Sequence, residues 1–471
     1  MKFIHFFLAG IAGVLLSACS QTVSSDGNPL DFPEKKYFPG IDDISDTIEQ
    51  ELFYNYGLLN LGYLYAHTRN ELADDYQVYL GQGTSADKSG KNFCSPEFYD
   101  ICYMYNQMKD PFTRYFDHYV AQQVYANVME TKTVTGIGVE VDYADSANTQ
   151  LKISQIYLHA PGEKAGLQVG DIIVQVDGIK VSTPSNFRAM CSGNKGDIVH
   201  ITIERGTEIV EVPVTLAAYR TPSVTLHYED SIPVIQIKEF SVKTPSDSGT
   251  YGEFITALRM TAGAKSTIID LRDNPGGETD QCNHVSAEFL SMGDTIITDI
   301  EASEDSVYNG DYWIYSQAFD TTTYYALRDG LGKDRYYVLL ADSNSASCAE
   351  IVLSSVSVNK KTPIVGQISY GKAIGQGVVD TPFKGLALVT AIIGVDKNGQ
   401  TYHDVGIVPD YIIDDPNAQM AKAVELAKQA TELRTAGYGT KKLNHFSKVS
   451  AHKAEQGFPT KHDLKLRFKR F

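Results

Sequence analysis

Residues 341–355, ADSNSASCAEIVLSS, join an apolar strand-like run, RYYVLLA at 335–341, to an apolar helix-like run. A strand that feeds a helix through small residues is a unit of a parallel sheet with helices on its faces. The same alternation runs from about residue 230 onward. Strand IPVIQIKEF precedes a helix over 249–262; strand STIIDLRD and a glycine pair precede a helix over 279–291; YYVLLAD leads to a helix over 346–358, and TPIVGQI and LALVTAII follow. The expectation is an α/β core with a mostly parallel sheet, whose binding groups collect at strand ends. The tyrosine-rich segment 308–326 reads as an insertion rather than a core element.

Ser347 falls in the first turn of the helix after YYVLLAD, where backbone N–H groups lack intrahelical partners. Attack of its hydroxyl on a carbonyl would create an oxyanion that the Cys348 N–H and the helix end can stabilise. Such a hydroxyl needs a base, and Lys372 in SYGKAIGQ suits the role better than the few histidines. For an amine to act near neutrality its pKa must fall from about 10.4 to about 7–8, roughly 3–5 kcal/mol, which desolvation can supply. The mechanism therefore requires the amine within hydrogen-bonding reach of the Ser347 hydroxyl. In DLRDNPGG, residues 270–277, Gly276 and Gly277 turn the chain so that bare N–H groups can face the same oxyanion.

Upstream, residues 136–215 alternate short apolar strands with two brief helices, Glu163–Leu167 and Thr183–Cys191, the pattern of a small, partly open β-barrel. Residues 44–128 carry helical spacing: Ile44, Ile48, Leu52, Tyr56, Leu59 and Tyr63 share a stripe, and Ser95-Pro96 opens a second helix. The start, MKFIHFFLAGIAGVLLSAC, reads as an export signal, since its apolar run is shorter than the roughly 20 residues of a membrane span. The segments are then a signal (1–18), a polar, proline-containing tether (19–40), an N-terminal helical domain (41–130), the barrel (131–217), the α/β core (218–430) and a basic extension (431–471).

The formal charge of −17 disfavours nucleic acid and anionic lipid as partners. Ten Lys/Arg against three Asp/Glu in 431–471 leave about −24 on the rest. Cysteines 94, 102, 191, 282 and 348 lack metal-type spacing, so neither a structural metal nor a cofactor is expected. Outside the cytoplasm an odd number leaves at least one thiol unpaired.

Taken together, SASCAE, GKAIGQ and LRDNPGG resemble, in this order, the blocks of the C-terminal processing (tail-specific) serine peptidases of the S41 type. The resemblance extends over roughly residues 50–425, including MKDPFTRYF and the downstream GIVPDYII. It implies Ser347 as nucleophile, Lys372 as base and Gln376 as the residue that orients the lysine, with Glu350 as the acid after the nucleophile. It implies a PDZ domain at 136–215 whose carboxylate loop is Gly136, Ile137 and Gly138, with unfolded or C-terminally exposed proteins as substrates. Leu16-Ser17-Ala18-Cys19 resembles a bacterial lipobox, implying lipidation at Cys19 and a bilayer anchor in the cell envelope, at the outer membrane, facing the periplasm or the exterior. Oligomeric state is left open. Cys348 and Ala349 stand where the family has alanine and serine, Ala373 adds a methyl beside Lys372, and Val358 replaces an aspartate found in some members. These departures motivate the alternative of a catalytically impaired peptide-binding or scaffold lipoprotein. A third alternative is thiol chemistry through Cys348, or Cys282 with His284.

Overall fold

The computed structural model describes residues 44–435 apart from 67, 70, 88–90, 125–132, 146, 148, 158 and 309–312. The expected signal, the tether with Cys19, and the basic extension from residue 436 lie outside the described residues. No helix among the described residues is long and apolar enough to cross a membrane.

The N-terminal region holds α1 (Thr47–Gly62), α2 (Tyr99–Gln107) and β1 (Arg114–Phe116). Asp46 caps α1 by accepting from the Ile48 and Glu49 N–H groups at 2.8 and 2.9 Å. The helices are not a self-contained domain. Their core of Leu52, Leu59, Phe98, Ile101 and Tyr105 is shared with Val379, Ala387 and Val389 of the peptide-chain segment far downstream. A disulfide, Cys94–Cys102, staples α2 to the segment before it.

The barrel comprises β2 (Thr133–Gly136), β3 (Val139–Tyr143), β4 (Leu151–Ile156), α3 (Pro161–Lys164), β5 (Ile172–Val176), β6 (Ile179–Lys180), α4 (Pro184–Met190), β7 (Ile198–Arg205), β8 (Glu208–Thr215) and β9 (Ala217–Arg220). Its sheet runs β3-β4-β5-β7-β8, with β6 on β5, and β2 pairs with β9 where the chain enters and leaves. The first helix begins two residues before its expected start because Pro161 occupies the first helical position.

The remainder contains β10 (Val224–Glu229), β11 (Ile232–Ile237), α5 (Gly249–Met260), β12 (Ser266–Asp270), α6 (Thr279–Ala287), β13 (Thr295–Tyr308), β14 (Trp313–Tyr325), β15 (Tyr336–Ala341), α7 (Cys348–Lys360), β16 (Ile364–Gly366), β17 (Ile374–Asp380), β18 (Leu386–Val395), β19 (Tyr411–Ile412) and α8 (Pro416–Thr435). One sheet runs β10-β11-β12-β15-β16-β19 and is parallel apart from the β10–β11 pair. Successive residues point to opposite faces and both faces are buried. Ile235, Ile237, Ile269 and Leu339 pack with Phe254, Val285 and Val352 of α5, α6 and α7. Val234, Ile268, Val338 and Leu340 pack with Ala423 and Ala427 of α8. This two-sided burial explains why these strands read as continuous apolar runs.

A second, antiparallel sheet runs β1-β18-β13-β14, with β17 also on β18. The segment expected to be an insertion is thus mostly β14, a full sheet strand. Its threonines and tyrosines favour extended backbone, and Thr323 bonds Thr298 across the hairpin at 3.0 Å. The two sheets deliver the site from separate directions: β12, β15 and β16 end at it, and β17 and β18 face it from the second sheet.

Candidate active site

Ser347 follows β15 and caps α7 with φ 54° and ψ −116°. A non-glycine residue held there stores about 1–3 kcal/mol, and such strain persists only where the surroundings enforce it. They do so from two strand ends. Ser345 Oγ donates to Leu271 O at 2.8 Å, the Ala346 N–H donates to Asn274 O at 2.9 Å, and the Tyr370 N–H donates to Ser345 O at 3.0 Å. The turn after β12 must carry glycine: at Gly276, φ is +100° and an added Cβ would lie 2.7 Å from Ser347 Cβ.

Of the three N–H groups expected to hold the oxyanion, one is committed elsewhere. Gly276 N–H donates to Asn274 Oδ1 at 2.8 Å, and Asn274 is locked in that orientation by its amide, which donates to Ile237 O at 2.8 Å. Gly276 therefore serves by close approach and not as a donor. Cys348 N–H, at the first helical position, lacks an intrahelical partner. Gly277 N–H has no protein acceptor among the described residues, because the bridge to Phe240 uses Gly276 O and the Glu278 N–H instead.

Glu350, fully buried, joins the serine and lysine segments. Its Oε2 accepts from the Ser347 N–H at 2.9 Å and the Lys372 N–H at 2.8 Å. Its Oε1 accepts from Ser369 Oγ at 2.6 Å and the Gly371 N–H at 2.7 Å. Burial pushes the carboxyl pKa upward, and these four donors oppose that shift. Ser369 Oγ in turn accepts from the Ile407 N–H at 2.7 Å, so the GIVPD segment braces the same group.

Lys372 Nζ donates to Gln376 Oε1 at 2.9 Å and lies 4.6 Å from the centre of the Phe112 ring. Desolvation lowers its pKa, as base chemistry requires, against the opposing charges of Asp110 and Glu350. The expected Lys372–Ser347 hydrogen bond is not formed: the amine is directed to Gln376 and Phe112, while the shared carboxylate keeps both backbones together. Catalytic hydrogen bonds commonly tighten only when substrate is bound.

Cys282 and Cys348 form a disulfide between α6 and the first residue of α7. Neither offers a thiol, which removes the chemistry considered for Cys348 and for Cys282 with His284. Cys191 is free and buried, its thiol pushed up to about 12 by burial. Because the bridge closes a separation of 66 residues, removing it with the double variant Cys282→Ala, Cys348→Ala should cost about 4 kcal/mol. Scanning calorimetry should show a lower Tm, and turnover should fall as the Cys348 N–H loses its anchor. An unchanged Tm contradicts this.

In the barrel, β3 is an edge strand beside α4, open to strand addition. Ile137 is buried, with its carbonyl accepting from Gly162 N–H at 2.7 Å. At the expected carboxylate loop the Tyr219 ring lies beside Gly138, and Arg188 of α4 pairs with Glu140 of β3 at 3.1 Å.

Sequence reading assigns no role to Asp110 and Phe112, which stand beside the lysine, or to Thr390, which bonds Gln376. One signal was present: Thr390 is a lone polar residue within the apolar run LALVTAII. Buried there, it needs a polar partner.

Residues 231–413 match the model of peptidase family S41, and residues 152–205 match a PDZ domain model. A probable CtpA-like serine protease of Staphylococcus haemolyticus is 26% identical over 69% of this chain and 61% of its own length. A carboxy-terminal-processing protease of Bartonella bacilliformis is 26% identical over 64% of this chain and 66% of its own. The chain thus spans somewhat under two thirds of the length of these relatives. A solved structure titled photosystem II D1 C-terminal processing protease is 18% identical, with a TM-score of 0.46, over 78% of this chain and 94% of that one. Residues 231–413 are thus similar to peptidase family S41, and residues 152–205, ahead of them in the chain, to a PDZ domain.

Proposed function

We propose that the chain is a serine endopeptidase that cleaves exported or envelope proteins through an acyl-enzyme on Ser347. The observation that carries this reading is Glu350, whose single oxygen Oε2 binds the backbones of both Ser347 and Lys372 and so registers a strained serine against a desolvated amine. Lys372 takes the hydroxyl proton as Ser347 Oγ bonds the scissile carbonyl carbon. The Cys348 and Gly277 N–H groups receive the oxyanion. The lysine proton then passes to the leaving amine as the C–N bond breaks, and water releases the acyl group by the reverse proton path.

Substrate enters this reading through the PDZ domain. A chain added to β3 would place its terminal carboxylate at Gly138, beside the Tyr219 ring. Two disulfides support an oxidising compartment, in keeping with an exported, lipid-anchored protein held through Cys19. The missing Ser347–Lys372 hydrogen bond favours a second reading, an impaired peptide-binding scaffold. Digestion of an unfolded test protein with a free or an amidated C-terminus separates the two. The peptidase should cut both, the amidated form about tenfold more slowly, the weight of one to two charge-assisted hydrogen bonds. No cleavage of either form by the full chain supports the scaffold.

A further inference from the structure

The group that holds the lysine is itself held by residues from another part of the chain. Gln376 Nε2 donates to Thr390 Oγ1 at 3.3 Å, and Thr390 Oγ1 donates to Asp110 Oδ2. Asp110 accepts three further bonds from its own segment: Phe112 N–H at 2.9 Å to Oδ1, and Thr113 N–H at 3.0 Å and Thr113 Oγ1 at 2.6 Å to Oδ2. The Thr390 N–H closes the ring by donating to Thr113 Oγ1 at 3.0 Å. Asp110, Thr113 and Thr390 are all buried, so water does not complete or scramble the network.

The donor and acceptor inventory gives this chain a direction. A carboxylate accepts, so the single Thr390 proton goes to Asp110; the Thr390 oxygen is then left to accept, so the Gln376 NH₂ must face it. That forces Gln376 Oε1 toward Lys372. An amine that donates one N–H to Oε1 keeps its lone pair free for the Ser347 proton. A flipped amide would offer an N–H to the lone pair and occupy it. The geometry points to Asp110 and Thr390 as positioning residues that fix which end of the Gln376 amide faces Lys372, and so keep the base's lone pair available. This rests on the peptidase reading of Ser347 and Lys372. It also makes the base depend on residues 110–113, which lie outside the matched peptidase segment.

The test compares wild type, Ser347→Ala, Thr390→Val and Thr390→Ser as full chains. Valine keeps the shape of threonine and leaves every charge facing Lys372 in place, namely Asp110, Glu350 and Arg114. Thr390→Val should lower kcat about 10–100-fold, part of the roughly 10²–10⁴-fold that a general base contributes, with KM within twofold. The acidic limb of its pH–rate profile should move to lower pH, because an amide N–H facing the amine favours the neutral form. Thr390→Ser should restore kcat and the profile. Labelling of Lys372 by acetic anhydride across pH, read by mass spectrometry, follows the same titration without turnover. A Thr390→Val protein with wild-type kcat and labelling overturns the inference. So does a shift to higher pH, which would mean water entry, and so does a Thr390→Ser protein no better than the valine variant. If wild type cleaves nothing, or Ser347→Ala cleaves equally well, the peptidase reading fails, and the labelling curves alone decide whether the amide is fixed.

Discussion

Lys372→Met should abolish detectable peptidase turnover and raise the thermal stability of the same protein. The activity half follows from removing the proposed base: proton abstraction by a positioned group contributes about 10²–10⁴-fold, and in residues that act as a unit the loss of one costs about as much as the loss of all. The stability half follows from burial. Desolvation holds the amine below the 10.5 of a solvated lysine, so between the folded and unfolded values the unfolded chain binds the extra proton. Stability contributed by this group is therefore present above the unfolded value and lost as pH falls through the folded one. Methionine never binds that proton, so its Tm advantage should widen from alkaline to acidic pH. The Phe112 ring, 4.6 Å from the amine, offsets part of the penalty in wild type, by about 0.5–2 kcal/mol for a cation over an aromatic face. Calorimetry at several pH values beside a casein digestion assay reads both halves. A constant Tm difference, or surviving turnover, contradicts the argument.

Wild-type activity should correspondingly rise with pH through the lowered Lys372 value, since the proposed base works as the neutral amine. Burial pulls that value down, and Asp110, in the segment before β1, and Glu350 of α7 pull it up.

What the sequence made legible follows the range of the interactions. β11, β12 and β15 were readable because each is buried on both faces and so spells a continuous apolar run. The placement of Ser347 at a helix start and of Lys372 in a glycine loop was readable because these are local features. The second sheet was not: its β1–β18 pairing joins Arg114 to Leu388, and no local periodicity encodes a partner that far away. The Asp110–Thr390 bond spans 280 residues for the same reason, and the Cys282–Cys348 bridge pairs two residues that each look like apolar filler. The commitment of Gly276 N–H to Asn274 was hidden for a different cause. Asn-Pro-Gly-Gly specifies a turn, while the acceptor of each N–H depends on a side-chain orientation set by Ile237 on the neighbouring strand.

Ser347→Gly tests the nucleophile in a way that alanine alone does not. Both variants lack the hydroxyl and should lose at least about 10⁴-fold in kcat, the scale on which removal of a serine nucleophile acts. They should part in stability. The backbone at 347 sits at φ 54° and ψ −116°, a conformation glycine adopts freely and alanine does not, so the glycine variant should gain up to about 1–3 kcal/mol over alanine if the strain is held in the folded state. Glycine's extra freedom in the unfolded chain works against this by about 0.4–1 kcal/mol, and the net gain should remain positive. The Glu350 carboxylate bonds the backbone N–H of residue 347, so both variants keep that contact and the comparison isolates the backbone. Denaturant titration gives the order, and digestion of an unfolded protein gives the activity. Equal stabilities would mean that the turn is not strained. Turnover by either variant would mean that the reacting group is not the hydroxyl of residue 347.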